Sequence, residues 1–140
     1  MEKAVSISKE AGLDVVGNFM IGNPYETKDS INDTISFMRK LNIDYANFAF
    51  LNPFPNTELR RMAEEKGWLL DSSTEAIEYE KLSMNATSIP TEELKKYLNK
   101  FYRGFYLRPS YILKRMSRLN IKDIKMYYGG VKKIFLHSLK

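Results

Sequence analysis

The sequence predicts an α/β fold: a partial (β/α) barrel built from two consecutive parallel βα units, followed by a mainly helical C-terminal extension. Three observations carry that prediction. First, NFMIGNPY at residues 18–25 and NFAFLNPF at residues 47–54 share the pattern Asn-Phe-x-x-x-Asn-Pro-aromatic, offset by 29 residues. Second, each copy is an apolar, β-rich run that stops at a proline and leads into apolar residues at helical spacing. Third, beyond Pro90 the apolar residues recur at helical spacing only. A βαβ unit takes roughly 30 residues, and a (β/α)₈ barrel about 31 per unit, so the offset is that of neighbouring units in one parallel sheet.

The elements follow in order. Ala4, Ile7 and Ala11 are spaced for one helix face, with Gly12 as the stop. Residues 13–21 are apolar on both parities, as a strand buried on both faces should be. Pro24 ends that strand, because proline has no N–H for the ladder. Thr27 is placed to cap a helix whose first turn holds Asp29 and whose face is Ile31, Ile35, Met38 and Leu41, with Asn42 as its C-cap. A second strand spans residues 43–51 and stops before Pro53. Asn56 or Thr57 caps a third helix, with Leu59, Met62 and Ala63 inward and Gly67 at its end. Residues 68–89 read as a loop with a short irregular segment. Pro90-Thr91-Glu92-Glu93 opens a helix striped by Leu94, Tyr97, Leu98, Phe101 and Phe105. Residues 108–110 break the chain before a face of Ile112, Leu113 and Met116, and a last face of Ile121, Ile124, Tyr128 and Val131 is interrupted by Gly129-Gly130. Two regions result: residues 1–70 with the βα units, and residues 71–140 with the helical, basic extension.

Composition excludes several chemistries. With no cysteine in 140 residues, the chain can form no disulfide and ligate no iron–sulfur cluster or zinc through thiolates. The one histidine, His137, lies in a basic tail and reads as a solvated side chain rather than a metal ligand. No signal-peptide core and no run near 18 apolar residues is present, so a soluble cytoplasmic protein is expected. Charge is segregated: residues 108–140 carry nine Lys/Arg against one acid, Asp123, whereas residues 1–107 carry thirteen bases and sixteen acids.

The repeated turns are the candidate site. In parallel α/β folds ligands bind outside the carboxyl ends of strands. Asn23 and Asn52 stand there, each held extended by the following proline, offering two donors and one acceptor. The competing reading is that both amides only tie down their own turns. Asn18 and Asn47 are amides inside apolar strands, where an amide without partners costs about 1–3 kcal/mol, so they should meet a ligand, water or another polar group. Asn18, Met20 and Gly22 share one parity, which faces the lumen if the sheet curves into a barrel. Gly22 at the strand end would let a ligand approach the backbone closely.

These residues resemble a known family. GNFMIGNPYET, residues 17–27, resembles the fifth-strand segment of radical S-adenosylmethionine enzymes, which ends in Gly-x-Pro-Gly-Glu-Thr. NPFPNTELRRMAEEKGW, residues 52–68, resembles their sixth-strand segment, a Pro-Phe-Pro-Gly-Thr turn and a helix. FYLRPSYILKRM, residues 105–116, resembles the helical extension of the cobalamin-binding subgroup labelled anaerobic magnesium-protoporphyrin ester cyclases. The resemblance implies a C-terminal portion of such an enzyme. It implies cofactor-binding roles for Asn18, Gly22, Asn23 and Glu26 at the first turn and for Asn52, Pro53 and Phe54 at the second. The parent family, of oxidoreductase, methyltransferase or cyclase type, uses S-adenosylmethionine and a [4Fe-4S] cluster, with cobalamin in the subgroup. The cluster's Cys-x-x-x-Cys-x-x-Cys motif has no counterpart here, so no catalytic or metal-ligating residue is assigned and the chain is expected to be inactive alone. An upstream barrel half or a homologous chain is the expected partner. Tyr25 and Asn56 stand where the family has glycine; asparagine tolerates positive φ, whereas tyrosine there would be strained. Glu26 also has a plain reading as a carboxylate near a helix N-terminus, worth about 0.3–1 kcal/mol.

The alternative function is a non-catalytic docking module that binds a partner protein or an anionic membrane through residues 108–140. Tyr127, Tyr128, Phe135 and Leu136 would be its apolar anchors, and Lys132 and Lys133 part of its charge. A solvated basic face on packed helices is the plainer reading of the same residues. Nucleic acid is not expected as a partner, since no binding motif for it is present.

Overall fold

The computed structural model describes residues 1–70 and 81–117. Their elements are, in order, α1 (Glu2–Glu10), β1 (Val16–Ile21), α2 (Lys28–Lys40), β2 (Tyr45–Phe50), α3 (Glu58–Glu65), α4 (Thr91–Tyr106) and α5 (Pro109–Met116). The class is α/β, with two parallel strands and five helices among the described residues. The chain divides into two compact units, Met1–Leu98 and Asn99–Lys140.

The repeat is a strand register. β1 and β2 pair in parallel with Val16 opposite Tyr45, Asn18 opposite Asn47, Phe19 opposite Phe48 and Ile21 opposite Phe50. Every pair is separated by the offset of the repeated octapeptide, so its Asn-Phe dipeptides stand side by side. Phe19 and Phe48 stack with ring centroids 5.7 Å apart. Ladder-like bonds continue past both strand ends: Asp44 N–H donates to the Val15 carbonyl at 2.9 Å, and Leu51 N–H to that of Ile21 at 2.8 Å.

Strand alternation then sorts the two faces. Ile21, Ala46, Phe48 and Phe50 are buried on one face. Val16 and Met20 on the other are 51% and 48% exposed, and Asn18 and Asn47 are exposed beside them. The expectation that β1 is buried on both faces is therefore corrected: its second apolar parity is uncovered in this chain. That parity is still the one that Asn18, Met20 and Gly22 share.

Helix boundaries follow local chemistry. Thr27 caps α2 in a reciprocal box with Ser30: Thr27 Oγ1 accepts from Ser30 N–H at 3.2 Å, and Ser30 Oγ accepts from Thr27 N–H at 2.9 Å. Ile31, Ile35 and Met38 form the buried face of α2, as their spacing predicts. Its C-cap is Leu41 in extended geometry, not Asn42, because the buried Leu41 side chain turns the chain toward Ile43 and β2. In α1 the predicted face is wrong. Val5 is its buried residue, whereas Ala4, Ile7 and Ala11 face solvent; a single well-buried valine outweighs a weak alanine stripe.

One buried ion pair ties α1 to the start of β2. Asp44, 2% exposed, accepts from Lys9 Nζ at 2.6 Å and from Val15 N–H at 2.9 Å. Lys9 also donates to the Leu13 carbonyl at 2.9 Å. This cluster lies at the N-terminal end of the strands, the end associated with stability in parallel α/β folds.

The segment read as a loop contributes to the core. Leu70 N–H donates to the Ser83 carbonyl, and Asn85 N–H to that of Trp68, at 2.9 and 2.8 Å, around an antiparallel bridge between Leu69 and Met84. Met84 and Ala86 pack with Ala63 of α3, and Leu51, Leu59, Trp68 and Leu69 close over them. In the second unit Phe105 is buried and meets Tyr106 and Tyr111 edge-on or tilted at 4.9 and 5.0 Å, while the Arg108 guanidinium stands 4.4 Å from the Phe105 ring. The expected face of Ile121, Ile124, Tyr128 and Val131, the tail residues Tyr127, Lys132, Lys133, Phe135 and Leu136, and His137 lie outside the described residues.

Candidate functional site at the strand carboxyl ends

Because β1 and β2 are parallel and adjacent, their two exit turns lie side by side. In the first, Glu26 N–H donates to the Asn23 carbonyl at 3.1 Å, closing a turn over Asn23-Pro24-Tyr25-Glu26. In the second, Thr57 N–H donates to the Phe54 carbonyl at 3.3 Å, closing one over Phe54-Pro55-Asn56-Thr57. Each has proline second and a positive φ third, 66° at Tyr25 and 62° at Asn56, the signature of a type II-like turn. These third positions are those where the resemblance places glycine.

The turns are thus equivalent through Pro24 and Pro55, not through Pro24 and Pro53 as the octapeptide suggests. Two extra residues, Asn52 and Pro53, separate β2 from its turn. The two turn asparagines accordingly do different work. Asn23 opens its turn and is exposed. Asn52 is 6% exposed and directed at residues 81–83: its Nδ2 donates to the Lys81 carbonyl at 2.8 Å, and its Oδ1 accepts from Ser83 N–H at 3.0 Å and Ser83 Oγ at 2.7 Å. Pro53 is buried beside it, and Phe54 emerges 48% exposed.

Glu26 folds back on its own turn. Its Oε2 accepts from Gly22 N–H at 2.6 Å and from Asn23 N–H at 3.2 Å, so the backbone donors at the end of β1 hold an internal carboxylate. That bond fixes Gly22 at φ 90°, a conformation open to glycine and costly for other residues. An added Cβ there would meet nothing closer than Leu94 Cδ2 at 3.8 Å, so the restriction is conformational rather than one of space. Tyr25, 77% exposed, receives a long 3.4 Å bond from Lys66 Nζ, which also stands 5.0 Å from the Trp68 ring. Lys28 at the head of α2 pairs with Glu93 at the head of α4 at 2.7 Å. The Glu93 hydrogen bond raises the Lys28 ammonium above the ordinary lysine value.

On the open face of the sheet, Asn47 Nδ2 donates to Asn18 Oδ1 at 3.0 Å. The two strand amides satisfy each other across the in-register rung. Donor hydrogens on both amides, and the Asn47 oxygen, remain directed at the uncovered face. Asn18, Gly22, Asn23 and Glu26 are therefore grouped at and before the end of β1, with Asn47 joining them from β2. Asn47 stood out in the sequence as a strand amide, yet only its in-register position opposite Asn18 makes it part of the group.

Beside the free edge of β1 runs a groove of about 600 Å³ lined by Met1, Val5, Val16, Asn18, Phe37 and Leu41 among others. Among the described residues no cluster of His, Asp and Glu is placed to hold a metal ion, and no helix is long and apolar enough to cross a membrane.

Comparison with known proteins gives a consistent direction. The chain is 35% identical over 136 residues to an uncharacterized methyltransferase of Pyrococcus horikoshii, an alignment covering 97% of this chain and 28% of that protein. It is 24% identical over 142 residues to the anaerobic magnesium-protoporphyrin IX monomethyl ester cyclase of Rubrivivax gelatinosus, covering 98% of this chain and 24% of the relative. Over 65 residues it is 28% identical to the bacteriochlorophyllide d C-8(2)-methyltransferase of Chlorobaculum tepidum. The chain thus spans about a quarter of the length of the first two relatives. No family model and no solved structure matches it.

Proposed function

We propose that this chain is the C-terminal portion of a radical S-adenosylmethionine enzyme of the cobalamin-binding, cyclase-like subgroup. In this reading β1 and β2 are two late strands of a larger parallel barrel, and their carboxyl ends form one wall of the S-adenosylmethionine site. The observation that carries it is the pair of matched turns. Both have positive φ at the residue where the resemblance calls for glycine, after strands whose polar rung faces the uncovered side. The methyltransferase and cyclase names of the relatives support the same direction.

S-adenosylmethionine, when bound, supplies an activated methyl or adenosyl carbon. The donor set here suits a polar, zwitterionic ligand: the Asn18 and Asn47 amides on the open face and the exposed Asn23. Gly22 is buried with its N–H held by Glu26, so it shapes the turn rather than meeting the ligand. Glu26 acts through the turn, holding Gly22 and Asn23 in place. Asn52, with Pro53, positions the second turn and presents Phe54. A [4Fe-4S] cluster does not fit this chain, which has no thiolate to hold it, and no described residue is assigned to cobalamin. The remaining strands belong to another polypeptide segment, seated along the free edge of β1 and its groove. Alone, the chain is inactive.

The test is a graft. The chain replaces the matching segment of the Pyrococcus horikoshii methyltransferase, and S-adenosylmethionine binding is measured by equilibrium dialysis with the reconstituted, reduced protein. The graft is expected to bind, and Asn18→Ala within it to weaken binding about tenfold, the loss of roughly one hydrogen bond to a charged group. A folded graft that binds no better than the methyltransferase lacking the segment would overturn the proposal.

A further inference from the structure

The first exit turn carries a strained side chain that the proposed cofactor wall does not use. Tyr25 holds φ 66° while its side chain is 77% exposed, so the core gains nothing from the ring. Strain of this kind clusters at ligand-binding positions. The Tyr25 hydroxyl stands 3.4 Å from Lys66 Nζ at the end of α3. That ammonium lies 5.8 Å from the Tyr25 ring and 5.0 Å from the Trp68 ring. Lys66 is exposed, and among the described residues no carboxylate pairs with it. Its acidic neighbours in α3 are engaged elsewhere, Glu64 by Arg60 at 2.6 Å and Glu65 by Arg61 at 2.7 Å. Trp68 is a fixed wall behind the lysine. Its N–H donates to the Ala63 carbonyl at 2.9 Å, its carbonyl accepts from Asn85 N–H at 2.8 Å, and its side chain packs on the cluster of Ala63, Met84 and Ala86.

We propose that Tyr25 and Lys66 form a carboxylate subsite at the rim of the strand carboxyl ends, taking a ligand whose carboxylate sits on an apolar body. An ammonium has three donors and no acceptor, and a tyrosine hydroxyl that accepts from it keeps its own O–H to donate. Two donors 3.4 Å apart, one of them charged, suit the two oxygens of one carboxylate. The open face of the Tyr25 ring supplies apolar contact for the body of the ligand. One cation beside aromatic rings matches a single negative charge better than the double charge of phosphate. Only the role of this ligand, as substrate, rests on the proposed function; the subsite itself stands on the geometry. Both residues would set specificity rather than perform chemistry.

The experiment titrates the full chain with phenylpropionate and reads the fluorescence of Trp68, the one tryptophan. A saturable response in the millimolar range is expected, with none from phenylpropanol, which keeps the ring and lacks the charge. Inorganic phosphate should compete only weakly; competition stronger than the carboxylate's own affinity would overturn the assignment. Lys66→Gln should weaken binding about tenfold and Tyr25→Phe about threefold, while Lys66→Arg should retain most of it. Tyr25→Gly separates a binding role from a structural one: it should unfold at higher urea and yet lose the response. A wild-type response unsaturated at about 50 mM, an equal response to the alcohol, or wild-type affinity in Lys66→Gln or Tyr25→Gly would overturn the proposal. None of these readouts uses S-adenosylmethionine, so this subsite and the cofactor wall can fail separately.

Discussion

Tyr25 occupies a backbone conformation that suits glycine. A non-glycine residue at φ 66° costs roughly 1–2 kcal/mol, and an exposed ring with one cation nearby recovers only part of that. Tyr25→Gly is therefore expected to raise stability by about 1 kcal/mol in urea unfolding. A loss of stability would show that the Lys66 contact outweighs the strain. Asn56 at φ 62° costs less, because asparagine visits that region readily. Both positions stood out in the sequence only through the family resemblance, which has glycine at each. The fate of Asn52 was not: its partners, Lys81 and Ser83, lie 29 and 31 residues away, in a stretch with no periodic pattern. A buried amide's direction depends on which distant backbone groups need satisfying, and local spacing holds no record of that.

At the scale of elements, the βα units were readable because several signals agree. Proline ends each strand, a threonine caps each following helix, and apolar spacing runs through α2. The face of α1 is hard to read because alanine gives a weak signal. Residues 81–89 are irregular, as expected of a loop, and the burial of Met84 and Ala86 leaves no repeating pattern to read. The Lys9–Asp44 pair was likewise invisible, joining residues 35 apart. It clamps α1 and the segment before β1 to the start of β2. Asp44→Ala removes the acceptor from both a half-buried ammonium and the Val15 amide, and is expected to cost about 3 kcal/mol in chemical unfolding. Asp44→Asn, which keeps an acceptor for Val15, should cost less. A change under about 0.5 kcal/mol for the alanine variant would place this pair among ordinary surface contacts.

At the scale of the molecule, charge and apolar surface divide along the chain. The acidic first part presents an open sheet face and a free strand edge; the basic second part presents an exposed aliphatic helix face. An unpaired parallel edge with uncovered Val16 and Met20 is the kind of surface proteins cover. Under the proposed function, the remaining strands of a larger barrel would cover it. The echoed octapeptide sets two adjacent parallel strands in a register equal to its own offset, and the proposed site depends on that arrangement. A chain without native cysteine allows a direct test by disulfide trapping. Asn18→Cys with Asn47→Cys places the thiols on one rung, whereas Val16→Cys with Asn47→Cys displaces them by two residues. Mild oxidation, read by intact mass, should close the first pair rapidly and nearly completely and leave the second largely reduced. Preferential closure of the displaced pair, or no closure of either in folded protein, would contradict the arrangement.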